Sequence, residues 1–407
     1  MAKAEAHKWE FKARFRRNAF GWKSQPAIQR IKEAVSEIRK AARKDPILAA
    51  EGAVLFLEKL SPALENVDSS SGAIGTATNN AIDALVPIIA RAPAGATVRH
   101  GWLERLWDAF QEDGYGYLDT LGDSWGDLCA SPAVASSWAD QLLGTCRLAW
   151  RPDPEVHGFF KGTINCLSAL LAAGRYDDIL DLLTMAPHSM WAYRRYGVKA
   201  LAAMGRKGEA IRYAEESLEQ DDRPVAVARA CEEILLSSGL VEEAYRRYGL
   251  MANRAGTYLA WFRAVAKKYA FKEPAAILND LVALTPGEEG KWFAAAKDVG
   301  LFDEAIALAN RSPCDPRTLA RAARDHADSN LAFALEAGVA ALRWLTEGWG
   351  YEITSLDVLS AYTYTTKAAE KAGRSEETRR RIRDLVAGET PNDRFVTRVL
   401  GRQLGLS

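Results

Sequence analysis

The chain has 407 residues, long enough for a large buried core or for a repeat array that lengthens without dividing into globules. Its 53 Lys and Arg balance 53 Asp and Glu, which excludes a uniformly basic nucleic-acid coat and a polyanionic chaperone while leaving room for local patches. No stretch approaches the roughly 18 to 20 apolar residues of a membrane span; the nearest, 74–90, is interrupted by Asn79, Asn80, Asp83 and Pro87, so no membrane partner is expected.

Residues 1–44 are the most basic part. Within them, Trp9-Glu10-Phe11-Lys12-Ala13-Arg14-Phe15-Arg16-Arg17-Asn18-Ala19-Phe20-Gly21-Trp22-Lys23 mixes cations with aromatics. Phe11, Phe15, Ala19 and Trp22 recur at helical spacing and predict one apolar face. That face docks on the body with its cations solvated. A sharper reading makes Lys8, Lys12, Arg14, Arg16, Arg17 and Lys23 a contact patch for nucleic-acid phosphates or an acidic partner. Membrane-surface docking is the third reading. The N-terminus carries no apolar signal core, which predicts a cytoplasmic protein.

Pro26 predicts the first turn of a second helix with the stripe Ile28, Ile31, Val35, Ile38 and Ala42. Asp45-Pro46 caps and opens the next, through Val54, Leu57 and Leu60. Val67-Asp68-Ser69-Ser70-Ser71-Gly72 is a polar turn. It is not a phosphate loop, because it lacks the Gly-Lys-Ser/Thr ending and follows a helix. The helix after it runs to Ala90 and ends before Pro93 and Gly95.

From 102 to 155 the charge reverses to acidic, so the basic N-terminus is expected to lie across this segment. Gly122-Asp123-Ser124-Trp125-Gly126 matches the form of a nucleophile elbow, but no strand pattern precedes it, and a helix-to-helix turn is expected instead. Asp119, Asp123 and Asp127 share a four-residue spacing that Gly122 and Gly126 interrupt, without a complete metal-ligand set.

Past a boundary at Arg151-Pro152-Asp153-Pro154, one phrase recurs. It reads Gly174-Arg175-Tyr176-Asp177-Asp178-Ile179, Gly205-Arg206-Lys207-Gly208-Glu209-Ala210-Ile211, Gly239-Leu240-Val241-Glu242-Glu243-Ala244-Tyr245 and Gly300-Leu301-Phe302-Asp303-Glu304-Ala305-Ile306. A degenerate copy starts at Ala270. The steps are 31, 34, 31 and 30 residues, the period of stacked helical hairpins. Glycine closes one helix in the left-handed conformation, acidic residues open the next at the positive end of its dipole, and alanine lets the pair cross closely. Between the phrases lie first helices at 191–204, 224–237, 256–269 and 291–299. The spacing resembles tetratricopeptide repeats, with Tyr176 and Phe302 at the aromatic position and Ala210, Ala244 and Ala305 near the small one.

A connector at 311–316 leads to a longer helix pair, 319–346. Trp344, Trp349, Tyr351, Tyr362 and Tyr364 predict a capping core. Gly373-Arg374-Ser375-Glu376-Glu377 repeats the phrase and opens an Arg-rich helix. The tail ends in an amphipathic stretch with Phe395, Val399, Leu400 and Leu404.

The cysteines, Cys129, Cys146, Cys166, Cys231 and Cys314, form no CxxC pair and are expected to be buried free thiols. The histidines, His7, His100, His157, His188 and His326, fit no zinc spacing, and neither GxGxxG nor GxxxxGK[ST] occurs. No catalytic, cofactor or metal residue is assigned, and no cofactor is expected.

The run Leu57-Glu58-Lys59-Leu60-Ser61-Pro62-Ala63-Leu64-Glu65-Asn66-Val67-Asp68-Ser69-Ser70-Ser71-Gly72, the Gly-Arg hairpins at 174, 205 and 373, and the Arg-rich helix resemble a group of uncharacterised bacterial helical proteins. These are similar to the helical region C-terminal to SWIM zinc fingers. The CxC…CxH ligands of that finger are absent, so its nucleic-acid function does not transfer. The resemblance implies a helical scaffold in a nucleoprotein setting.

The expectation is therefore an all-α chain: an atypical N-terminal helical domain over 1–150, a tetratricopeptide-like right-handed α-solenoid over 151–388, and a tail over 389–407. Its expected role is a non-enzymatic scaffold that binds a protein or peptide along the concave face. The alternative is nucleic-acid association through the N-terminal segment.

Overall fold

The computed structural model describes residues 7–151, 158–219, 223–389 and 394–406. The expected boundary at 152–154 and His157 lie outside the described residues, as do 390–393 of the tail. The described residues form helices and short 3-10 or π turns, with no strand. None of their helices is long and apolar enough to cross a membrane. By packing, the chain divides into two compact units, Met1–Ile234 and Leu235–Ser407.

In the first unit, the helices Ser24–Ala42, Pro46–Leu64 and Ala73–Arg91 each pack against the other two. Asp45 caps the second of them, accepting the Leu48 N–H at 2.9 Å beside Pro46 in the first turn. That helix is apolar on most sides and correspondingly buried, from Ala49 and Ala50 through Phe56 and Leu57 to Leu64.

The N-terminal segment departs from expectation. Helix forms only over Glu10–Arg14, and Asn18 takes φ 56°. Its N–H bonds to the Pro62 carbonyl at 2.9 Å, a tertiary contact that turns the chain and ends the predicted face. Phe11 and Phe15 are buried edge-on to Phe56, with ring centroids 5.5 and 5.0 Å apart. Trp9 joins them against Gly52, whereas Ala19 is exposed and Trp22 is 72% exposed. Among the described residues, the basic segment also makes no ion pair with the acidic one. Among the described residues, Arg14 bridges to Glu10 and Glu33, Arg17 to Glu65 and Arg30 to Glu33. The acidic segment finds other cations: Asp140 pairs with Arg175 and Asp123 with Arg195.

The stretch 119–129 is a 3-10 turn, Asp119–Leu121, followed by the short helix Trp125–Cys129. No strand precedes Ser124, so a nucleophile elbow does not form there.

The recurrent glycines share one geometry. Gly174, Gly205, Gly239, Gly300 and Gly373 have φ of 73, 78, 75, 77 and 66°. After each, the next N–H reaches back to a carbonyl five residues earlier: Arg175 to Leu170, Arg206 to Leu201, Leu240 to Leu235, Leu301 to Ala296 and Arg374 to Ala369, at 2.8–3.0 Å. This is the Schellman closure, which satisfies carbonyls a helix end leaves orphaned. Where arginine follows the glycine, its Nε binds the acid three residues on, at 2.8–2.9 Å, in Arg175–Asp178, Arg206–Glu209 and Arg374–Glu377. Ala210, Ala244 and Ala305 are fully buried. The copy at 270 differs: no residue there is left-handed, and Pro274 opens the helix Pro274–Leu284 after a turn closed by Lys272 N–H on the Tyr269 carbonyl.

In three places the first helix of a hairpin packs on both helices of the hairpin before it. Trp191–Ala203 does so on Thr163–Ala172 and Tyr176–Thr184 in the first unit. In the second, Phe293–Asp298 does so on Tyr258–Lys268 and Pro274–Leu284, and Ser355–Lys371 on Pro316–His326 and Leu331–Thr346.

Of the C-terminal aromatics, only Trp344 is fully in the core, donating its indole N–H to the Ala309 carbonyl at 2.8 Å. Tyr362 and Tyr364 are half-buried, while Trp349 and Tyr351 are 50% and 81% exposed, because the turn at Gly348 and Gly350, both of positive φ, carries them outward. The final helix, Phe395–Leu404, buries Val396, Leu400 and Leu404. Glu389 caps it from outside, accepting the N–H groups of Val396 and Thr397 at 2.8 and 2.7 Å.

A capping box opens Ser355–Lys371: Thr354 and Asp357 satisfy each other's backbone donors, and Arg317 forks onto Asp357 at 2.8 and 2.9 Å. The Arg317 guanidinium, with the Thr354 donors, holds the Asp357 carboxyl far below its usual range against the opposing effect of burial. A carboxyl depressed in the folded state stabilises at neutral pH and loses that contribution as pH falls below the unfolded value of 3.8 toward the folded one. Asp357→Asn is therefore expected to lower stability by about 1–2 kcal/mol at pH 7. In urea melts, the difference from the unsubstituted chain should shrink in acid.

Candidate functional site

The helix Ser24–Ala42 is the organising element, because both of its glutamates lie on one flank while the other flank carries cations alone. Glu33 and Glu37 face the N-terminal segment. Glu37 accepts the N–H groups of Glu10 and Phe11 at 2.8 and 3.2 Å, serving as the cap that the short helix Glu10–Arg14 lacks in its own sequence. Glu33 receives Arg14 at 3.0 Å and Arg30 at 2.6 Å. Hydrogen bonds from Arg30 and then Gln29 hold its carboxyl below the usual range. On this side a cavity of about 750 Å³ holds Lys8, Arg14, Arg30, Lys40 and Lys44, but the three carboxylates of Glu10, Glu33 and Glu37 line it too.

The opposite flank is different. A groove of about 650 Å³ runs between Ser24–Ala42 and Ala73–Arg91. Ile28, Ile31 and Val35 form one side of its floor, and Ala73, Ala77, Ala81 and Ala84 the other. Lys32, Arg39, Lys40 and Arg43 stand along one rim; Thr76 and Asn80 stand along the other. The four cations are exposed, and none makes an ion pair with a described residue. No Asp or Glu lines the groove, nor does any aromatic residue.

The six residues singled out from sequence are not brought to one site. Lys8 and Arg14 line the mixed-charge cavity. Arg14 and Arg17 are engaged in ion pairs, and Lys8, Lys12, Arg16 and Lys23 are exposed without one to a described residue. None of the six lines the groove. The groove's cations carried a signal that went unread: 32, 39, 40 and 43 follow i, i+7, i+8 and i+11, one helical face beside the apolar stripe 28, 31 and 35.

Elsewhere, the polar cluster around Tyr245 is satisfied internally. The Tyr245 hydroxyl donates to Asp280 at 2.6 Å, and Lys272 lies over the Tyr245 ring while reaching Asp280 at 3.1 Å. All five cysteines are buried, and none is in a disulfide. Burial pushes the Cys129 thiol up to about 12, outweighing the opposing charge of Arg99, so it is neutral at physiological pH. Among the described residues, no group of three or more His, Cys, Asp or Glu could hold a metal ion.

Comparison of the chain with protein-family models finds no matching family, and no curated protein matches it.

Proposed function

We propose that the chain is a non-enzymatic protein-interaction scaffold, built of tetratricopeptide-like hairpins stacked as a right-handed α-solenoid and binding a protein or peptide along its concave face. The observation that carries this reading is the five-fold recurrence of one glycine closure, together with three hairpins whose first helix packs onto the preceding pair. Hairpins of that kind bury their faces only by stacking, and stacked hairpins expose extended surfaces. The similarity to the helical region that follows SWIM zinc fingers belongs to the same proposal.

A second reading, nucleic-acid association through the N-terminal segment, is favoured by the exposed cations Lys8, Lys12, Arg16 and Lys23, which make no ion pair with a described residue. One experiment separates the two. The tagged chain is used to capture partners from native lysate, with and without nuclease, at low and high salt, and the captured protein is then reconstituted in pure form. The scaffold reading expects a protein that survives both treatments and binds the Lys12→Glu/Arg16→Glu variant unchanged. Binding that vanishes with nuclease, falls steeply with salt and is lost in that variant would replace it with the second reading.

A further inference from the structure

We propose that the groove between the helices Ser24–Ala42 and Ala73–Arg91 receives an acidic amphipathic helix supplied by a protein partner. This goes beyond the scaffold reading, since the groove lies outside the glycine-closed hairpins and stands or falls without them.

Shape comes first. Ile28, Ile31 and Val35 on one side and Ala73, Ala77, Ala81 and Ala84 on the other recur every three or four residues. Two such stripes side by side make a trough that a third helix fills ridge into groove, and a wall of alanine lets its axis come close. From Ile28 to Arg39 the trough spans about 16 Å, roughly three turns of an occupant. Helix-in-groove recognition uses anchors at this spacing.

Charge decides the occupant's composition. Lys32, Arg39, Lys40 and Arg43 all stand on one rim, exposed and without an ion pair to a described residue, and no described carboxylate lines the groove to neutralise them. The helix keeps its glutamates on the other flank, where Glu33 and Glu37 are already engaged. The fitting partner therefore presents small or branched apolar residues to the floor and Asp or Glu to that one rim. The opposite rim, Thr76 and Asn80, is neutral and fixes the partner's orientation by asking for polar uncharged neighbours.

Nucleic acid fits less well. Phosphates gain nothing from covering isoleucine, valine and alanine, and no aromatic side chain is present to stack a base. A small anion fits less well too, because the cations are strung along the helix rather than converging on one point.

The test uses the full chain and a fluorescein-labelled synthetic helix of about 18 residues, with leucines at every third or fourth position and glutamates on one flank. The comparison probes are a scrambled peptide of the same composition and single-stranded DNA of about 20 nucleotides. Anisotropy titrations are expected to show saturable binding of the amphipathic peptide only, weakening with salt. Arg39→Glu/Arg43→Glu should weaken it about tenfold or more, and so should Thr76→Glu/Asn80→Glu on the other rim. All four positions are exposed, and circular dichroism melts check that the variants keep their fold. Lys12→Glu/Arg16→Glu, outside the groove, should leave binding unchanged. Equal binding of the scrambled peptide, indifference to both groove pairs, preference for DNA, or no binding at all would each overturn the proposal.

Discussion

Gly126→Ala is expected to lower stability by about 2–4 kcal/mol, although it adds a single methyl group. Gly126 sits in the helix Trp125–Cys129, which packs on Thr163–Ala172. A Cβ there would lie 2.5 Å from the Ser168 carbonyl oxygen and 2.7 Å from the Ala172 Cβ. A backbone oxygen inside a helix cannot swing aside as a side-chain tip can, so the helices must separate. Separation strains two bonds at once: the Gly126 N–H donates to Ser168 Oγ at 3.0 Å, and that hydroxyl donates to the Asp123 carbonyl at 2.9 Å. It also loosens Trp125, which is fully buried edge-on to Trp138 and Trp107. Gly144→Ala is the internal comparison. Gly144 is an exposed position inside Pro132–Ala149 with nothing near its missing Cβ, so alanine should stabilise by about 0.5–1 kcal/mol. Chemical denaturation of the two variants should therefore move the midpoint in opposite directions; movement in the same direction would refute the close crossing.

The second large effect is expected at Arg99, where replacement by methionine should cost about 3–5 kcal/mol. The side chain is 3% exposed and has no carboxylate partner among the described residues. Its guanidinium instead donates to the Ile89 and Ala92 carbonyls at 2.6 and 2.7 Å and to the Leu128 carbonyl at 3.4 Å. Those carbonyls end the helices Ala73–Arg91 and Trp125–Cys129, where the macrodipoles are negative and the helical ladder runs out of donors; the Ala92 and Ala94 N–H groups reach the Ile89 and Ala92 carbonyls at 3.3 and 2.8 Å, and Arg99 supplies the further donors. One buried cation thus closes two helix ends, and burial pulls its pKa below the usual arginine value. Methionine fills the volume and leaves the three carbonyls without that donor. Arg99→Lys restores charge on a single nitrogen that cannot fork across both ends, so its melting temperature should fall between those of the other two chains. Equal stability of the lysine and arginine chains would show that charge alone matters at this position.

What could be read from sequence was what local chemistry decides. Asp45-Pro46 caps because carboxylate and proline act within one turn, and the glycine closures recur because each depends on six consecutive residues. The misreadings have a common cause in distant partners. The aromatic face from Phe11 to Trp22 required the helix to continue past Asn18, but the Pro62 carbonyl, 44 residues on, captures that N–H. Nothing local marks Arg99 for burial, since the carbonyls it binds lie 10 and 29 residues away on either side. The cations of the groove were on one face in the sequence, yet only packing shows that Ala73–Arg91 lies beside them and leaves that trough uncovered.

The five buried thiols have a use as clocks. A thiol with no exposure reacts with an alkylating reagent only when the structure around it opens, so its labelling rate reports the free energy of that opening. Cys129, Cys146, Cys166 and Cys231 lie within Met1–Ile234, and Cys314 within Leu235–Ser407. Pulsed alkylation read by peptide mass thus times the two units separately in one unmutated molecule. Under this readout Gly126→Ala should hasten Cys129 and Cys166 while leaving Cys314 at its own pace.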